Sequence, residues 1–305
     1  MSIPVAPQSD DQLTGAAIYP PLAAETPALA MEPTYRVVLG ETDVFRILLV
    51  GVGGTGSTLA LFLAGLMYHA RQKGIQVELT LVDPDVVEMK NCGRQNFSPA
   101  EASSSGELHG ELQKAVTLAL RLNSAYGLAI AAWPESYEAE MGMQWFRHNQ
   151  RGIRYQHMVI GCLDNHWGRR EIARTVEAYQ GRIWAIDSGN HHHNGQLLIG
   201  NTTDVEQIRL DPLGLCSGLP SPYLQEPGLL EPEPETPVLS CAGLMLADAQ
   251  SLMVNRMAAV IAAQYVTEFV LHRQVSQMGT TFNLSPTVMR PILATKANLA
   301  RCRPR

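Results

Sequence analysis

Short apolar runs alternate with longer apolar-rich stretches along most of the chain. "RILLVGV" (Arg46–Val52) is continuously apolar after its arginine, as a strand buried on both faces requires. "STLALFLAGLMYHARQ" follows and is apolar almost all round, which predicts a buried helix. "QVELTLV" (Gln76–Val82) predicts the next strand, so the first unit reads as a βαβ crossover. The alternation continues with a helix over "GELQKAVTLALRLNSAY", a strand over "GLAIAAW" and a helix over "EAEMGMQWFRHN". "HMVIGC" (His157–Cys162) predicts another buried strand, followed by a helix from about Asn165 to Tyr179. "GRIWAIDSG" and "GQLLIG" are strands so close in sequence that the sheet should change direction between them. "AGLMLADAQSLMVNRMAAVIAAQYVTEFVLH" predicts one long helix or two, and "TTFNLSP" and "TVMRPIL" closing strands. No internal repeat interrupts the pattern. The expected class is α/β, a Rossmann-like and mostly parallel sheet flanked by helices.

Two stretches break this rhythm. Met1 to about Pro33 is rich in Pro, Ala, Ser and Thr and is expected to be a flexible leader. Asp211 to Ser240 is crowded with Pro, Gly and Glu, which predicts a long irregular loop, because proline removes backbone donors and restricts its neighbour. The expected division is a leader (1–33), one nucleotide-binding domain (34–292) and a solvated basic tail (293–305) carrying Lys296, Arg301, Arg303 and Arg305.

Composition narrows the function classes. Of 305 residues, 46% are hydrophobic and 17% charged, enough apolar material for a substantial core. A net charge of −6 argues against nucleic acid as the main partner. No long charge-free apolar segment predicts a membrane span, and the N-terminus lacks the pattern of a signal peptide, so the cytoplasm is the expected location. The five cysteines are scattered, with no CxxC pair to suggest a disulfide framework or a four-cysteine zinc site.

The chemistry concentrates after the first two strands. Gly51, Gly53 and Gly56 form GxGxxG between a strand and a helix, where free N–H groups can meet phosphate. Such a turn can also serve close packing alone, and by itself it does not separate NAD, FAD and ATP. Asp83 ends the second strand, where an acid commonly holds a ribose hydroxyl. Asp85, Asn91, Arg94 and Gln95 follow, and a guanidinium there can bind phosphate through paired hydrogen bonds. A turn cluster with a surface Arg–Asp pair would explain these residue types, but not their combination with the glycine turn.

With Gly54 and Ser57 the turn extends to GxGGxGS, and "DxDxVxxxNxxRQ" follows it. Together they resemble the ThiF/MoeB and ubiquitin-activating enzyme family, over about Arg46 to Asn201. The resemblance implies a phosphate-contacting lysine at Lys114, although "SPAEASSSGELHGE" makes its separation from Arg94 longer than usual. It implies a magnesium-binding aspartate at Asp164 in "VIGCLDN", where a plain helix cap is the bland reading. Arg169 or Arg170 completes the family-like sequence. "SCAGLMLADAQSLMVNRMAAVIA" and the Pro-rich loop before it most resemble the ThiF-like proteins of PRTRC systems.

The implied activity is ATP- and Mg²⁺-dependent adenylation of the C-terminal carboxylate of a small ubiquitin-fold protein, by a chain that forms homodimers. Arg94, Lys114 and Asp164 would act on the phosphates. Gly51, Gly53, Gly54, Gly56, Asp83, Asp85, Asn91 and Gln95 would hold the nucleotide. An NAD-dependent oxidoreductase and a non-catalytic ATP-binding adaptor are the alternatives. Cys216 or Cys241, flanking the Pro-rich loop, could carry the activated protein if its pKa were lowered. His191, His192 and His193 are adjacent, so their side chains diverge and a polar turn is expected rather than a metal site.

Overall fold

The computed structural model describes residues 32–103, 111–191, 193–232 and 241–303, with the backbone alone at 103 and 241–252. Residues 1–31 of the expected leader, the 233–240 part of the Pro-rich loop and His192 therefore lie outside the described residues, as does the Cys241 side chain.

The first strand, β1 (Val44–Val50), is buried along its whole length. Helix α1 (Gly54–Gln72) follows directly, and β2 (Gln76–Val82) pairs parallel with β1. Next come α2 (Lys114–Tyr126), β3 (Ala131–Trp133), α3 (Ala139–Arg147), β4 (Tyr155–Gly161) and α4 (His166–Ala178). Then β5 (Ile183–Asn190) and β6 (Asn194–Gly200) form a hairpin. The long helix α5 (Cys241–Thr267) precedes a second hairpin, β7 (Gly279–Leu284) and β8 (Thr287–Ile292).

The strands assemble into one sheet in the order β3-β2-β1-β4-β5-β6-β7-β8. The first five run parallel and the last three alternate antiparallel. Successive side chains of β1 point to opposite faces. Phe45, Ile47 and Leu49 join the core beneath α1, α2 and α5, whereas Leu48 and Val50 join the core beneath α3 and α4. Helix α5 is one continuous helix. Its Ala258, Ala259, Ala262 and Val266 are fully buried, and Phe269 just beyond packs edge-on against Phe45 and Trp184.

The described parts of the expected loop and of the expected tail contain short elements that pack on the fold. Between 211 and 232, Pro222–Gln225 is a helical turn capped by Ser221, Pro227–Leu230 is a 3-10 turn, and Tyr223 is buried. Proline is tolerated there because both prolines stand at the start of their turns, where no donor is needed. The basic end is also more than a solvated tail. Ala294–Thr295 pairs with Thr34–Tyr35, and the short helix Lys296–Arg301 lets Leu299 bury while Lys296 and Arg301 stay exposed. Among the described residues no helix is long and apolar enough to cross a membrane.

Candidate active site

The order of the parallel strands reverses between β1 and β4, where the connections leave to opposite sides and open a crevice at the carboxyl ends. An open cleft of about 1330 Å³ lies there. It is larger than the ~300–1,000 Å³ of most small-molecule sites.

The glycine turn forms its floor. Gly51 has φ +87°, and a Cβ there would stand 2.5 Å from the Cys162 carbonyl oxygen. At Gly56 a Cβ would fall 1.8 Å from the Gly51 carbonyl oxygen, so the helix can start this close only without a side chain. Gly53 and Gly54 line the cleft. Ser57 is fully buried, and its Oγ accepts from the Asn96 N–H at 2.9 Å, tying α1 to the segment after β2.

That segment is held by Asp83. Its Oδ2 accepts from the Val52 N–H at 2.7 Å and its Oδ1 from the Asp85 N–H at 2.9 Å. The carboxylate thus shapes the glycine turn as well as facing the cleft, and burial pushes its pKa up. Asn91 is 2% exposed, and its Oδ1 accepts from the Glu88 N–H at 2.8 Å, so its side chain serves the turn itself. Arg94 lines both the main cleft and an adjoining hollow of about 300 Å³. Gln95 lines both as well, and its buried Oε1 accepts no hydrogen bond among the described residues.

The long connection after Arg94 does not keep the expected lysine away. Lys114 is the first residue of α2, and its buried side chain reaches Asp85 Oδ2 with Nζ at 2.8 Å. Asp164 follows β4, is exposed, and lines both hollows. The cap of α4 is Asn165, whose Oδ1 accepts from the Gly168 N–H at 2.9 Å. Among the described residues no three His, Cys, Asp or Glu groups cluster as a metal cage. A solvent-facing carboxylate in a hollow that Arg94 and Lys114 also line does fit Mg²⁺, which takes one or two carboxylates and completes its shell with phosphate oxygens and water.

Of the residues lining the cleft, Thr55, Asn190, Asn255 and Trp167 escaped the sequence reading. Asn190, at the end of β5, donates to Thr55 Oγ1 at 2.8 Å and to Asn255 Oδ1 at 2.9 Å, while Thr55 donates to Asn255 Oδ1 at 3.2 Å. This network brings α5 onto the glycine turn, and its one signal was an asparagine inside an apolar helix. Trp167 is 66% exposed at the rim. Arg169 is buried, donating to the Leu163 carbonyl, whereas Arg170 donates to the Leu230 carbonyl and stacks on Trp167. His191 stands in the β5–β6 turn and lines the cleft. Burial pushes the Cys216 thiol up to about 11, the opposite of an activated thiolate.

E. coli MccB with MccA-N7isoASN matches at 13% identity and a TM-score of 0.50, over 82% of this chain and 64% of that one. E. coli MccB with AMPCPP and selenomethionine MccA matches with the same identity and coverage and a TM-score of 0.49. The chain thus spans less than two thirds of the length of those structures. At such identity the likeness shows the fold. No curated protein matches the sequence. The ThiF family pattern matches residues 41–302, and the chain belongs to the ThiF family.

Proposed function

We propose that the chain adenylates the C-terminal carboxylate of a small ubiquitin-fold protein with Mg·ATP, releasing pyrophosphate. One observation carries this reading: Arg94, Lys114, Asp164 and the glycine turn, separated by up to 113 positions in the chain, border a single cleft. Family membership supports the same reaction class.

The acceptor carboxylate is ionised near neutral pH, so no general base is needed. Its oxygen would attack the α-phosphorus, a P–O bond would form, and the bond to the bridging oxygen of the β-phosphate would break with that electron pair leaving on pyrophosphate. Gly51–Gly56 would seat the nucleotide and Asp83 would face its ribose. Arg94 and Lys114 would neutralise charge as it shifts toward the leaving group. Asp164 would hold Mg²⁺, which when bound supplies further charge neutralisation. The size of the cleft supports a second reactant beside the nucleotide.

Within the family we place the chain nearest the ThiF-like proteins of PRTRC systems and expect a cytoplasmic homodimer. Leu61 and Phe62 of α1 and Met253 and Val260 of α5 are exposed and suit a dimer contact. Light scattering over a range of concentrations tests this, and a persistent monomer contradicts it. The test of function is ATP–pyrophosphate exchange with each protein that co-purifies with the chain. Exchange with one of them is expected. ATP binding without exchange would indicate an adaptor, and NAD binding without ATP binding an oxidoreductase.

A further inference from the structure

Strand β5 carries a buried carboxylate that the proposed chemistry does not use. Asp187 is 1% exposed and stands opposite Gly161 across the β4–β5 pairing. The Arg169 guanidinium, also buried, places Nε 3.3 Å from Asp187 Oδ2. Its Nη2 donates to the Leu163 carbonyl at 2.8 Å. Tyr223 donates its hydroxyl to Oδ2 at a long 3.5 Å, and Oδ1 accepts no hydrogen bond among the described residues.

A buried ion pair with an unsatisfied oxygen is a poor source of stability, because desolvation offsets the Coulomb attraction. Burial indeed pushes the Asp187 carboxyl up to about 6, against the pull of Arg169. What such a pair does fix is direction. A guanidinium is planar and rigid, so charge attraction that holds it beside Asp187 also places Nη2 against the Leu163 carbonyl, although Nε itself makes no hydrogen bond among the described residues. Leu163 immediately precedes Asp164. The Asp164 carboxylate is itself exposed and, among the described residues, receives a single 3.3 Å bond from Asn165, so its placement depends on the main chain that carries it.

We propose that Asp187 is a positioning residue: through Arg169 it fixes the Leu163 carbonyl, and with it the direction in which Asp164 enters the cleft. The proposal rests on the assignment of Asp164 to Mg·ATP. Asn165 and Gly168 hold the other side of the same turn. A Cβ at Gly168 would stand 2.5 Å from Leu163 Cδ1, so Leu163 is packed against α4 while Arg169 grips its carbonyl.

The test is calorimetric titration of ATP into the full chain, with Mg²⁺ and with EDTA, alongside thermal melting. Asp187→Asn is expected to keep the metal-free ATP affinity and to lose ~10–100-fold of the gain that Mg²⁺ brings, the usual scale for a residue that orients a metal ligand. Asp164→Asn should show the same loss, and the double variant no more. Removing one charge can leave Arg169 too costly to bury, so Arg169→Lys is measured too. Its single ammonium retains a cation for Asp187 but cannot also reach the Leu163 carbonyl, and the same loss of Mg²⁺ gain is expected. A Mg²⁺ gain that survives in the folded variants overturns this proposal alone. So does an equal loss with and without Mg²⁺, which is what general loosening of the fold would give. A wild-type chain that binds no ATP, or gains nothing from Mg²⁺, overturns this proposal together with the assignment of Asp164.

Discussion

Asn165 donates from Nδ2 to Asp164 Oδ1 at 3.3 Å while its own Oδ1 caps α4 through the Gly168 N–H. The cap and the cleft carboxylate are therefore neighbouring residues with separate tasks. Asn165→Ala should cost about 1 kcal/mol of stability, the usual value of a lost cap. Asp164→Asn should melt like the wild type and lose ~10²–10³ in pyrophosphate exchange. Melting and exchange curves on both variants check this, and an Asp164→Asn chain with normal exchange contradicts it.

The glycines of the turn are not equivalent. A Cβ at Gly56 would collide with the Gly51 carbonyl oxygen at 1.8 Å, whereas at Gly53 its nearest contact is Gln95 Nε2 at 3.8 Å. Gly56→Ala should lower the melting temperature sharply, since the backbone must move. Gly53→Ala should melt like the wild type. Circular dichroism melts of the two variants decide, and equal losses would contradict the described turn.

Lys114 and Asp85 should behave as a unit. The lysine is buried and the aspartate largely exposed, so the carboxylate fixes where the ammonium points. Lys114→Ala should weaken ATP binding ~10–100-fold, the worth of one charged hydrogen bond at about 1.5–3 kcal/mol. Adding Asp85→Ala should cost little more, because the contribution of Asp85 runs through the lysine. Additive losses in a double-mutant cycle would show that Asp85 contacts the nucleotide independently.

Acid should weaken the far end of the sheet. His157 lies buried between Tyr155 and Phe146, and burial, with the Arg46 charge second, lowers its pKa from 6.5 to about 4. Its neutral form is favoured by folding, so this contribution is complete above pH 6.5 and is lost as pH falls toward 4. Asp187 works in the opposite sense. Its raised pKa makes its contribution most favourable below about 3.8 and loses it as pH rises through about 6. The two effects overlap, so the comparison must be between variant and wild type. His157→Phe should gain stability relative to the wild type as pH drops from 7 to 5. A difference that stays constant with pH would remove His157 as the cause.

Local sequence patterns were enough to set the sheet and the glycine-turn end of the cleft. Fully buried strands such as β1 must be apolar without interruption, and GxGxxG between strand and helix leaves the backbone few options. Those signals are local, with a period of two or a spacing of a few residues. Asp83, Arg94 and Gln95 were legible for the same reason, since they lie on the turn that leaves β2. Composition said less about which side chains of its irregular segments would be buried. The Pro-rich stretch suggested an irregular loop, yet Tyr223 finds a buried place on the sheet, and Leu299 draws the basic end into the fold. The remaining site residues depend on long-range contact. Asn255 meets Thr55 across 200 positions, and Asp187 pairs with Arg169, which also holds the Leu163 carbonyl. No spacing in one chain encodes such meetings. Sheet order and helix packing decide them, because only the assembled fold brings the ends of β4 and β5 and the middle of α5 to one place.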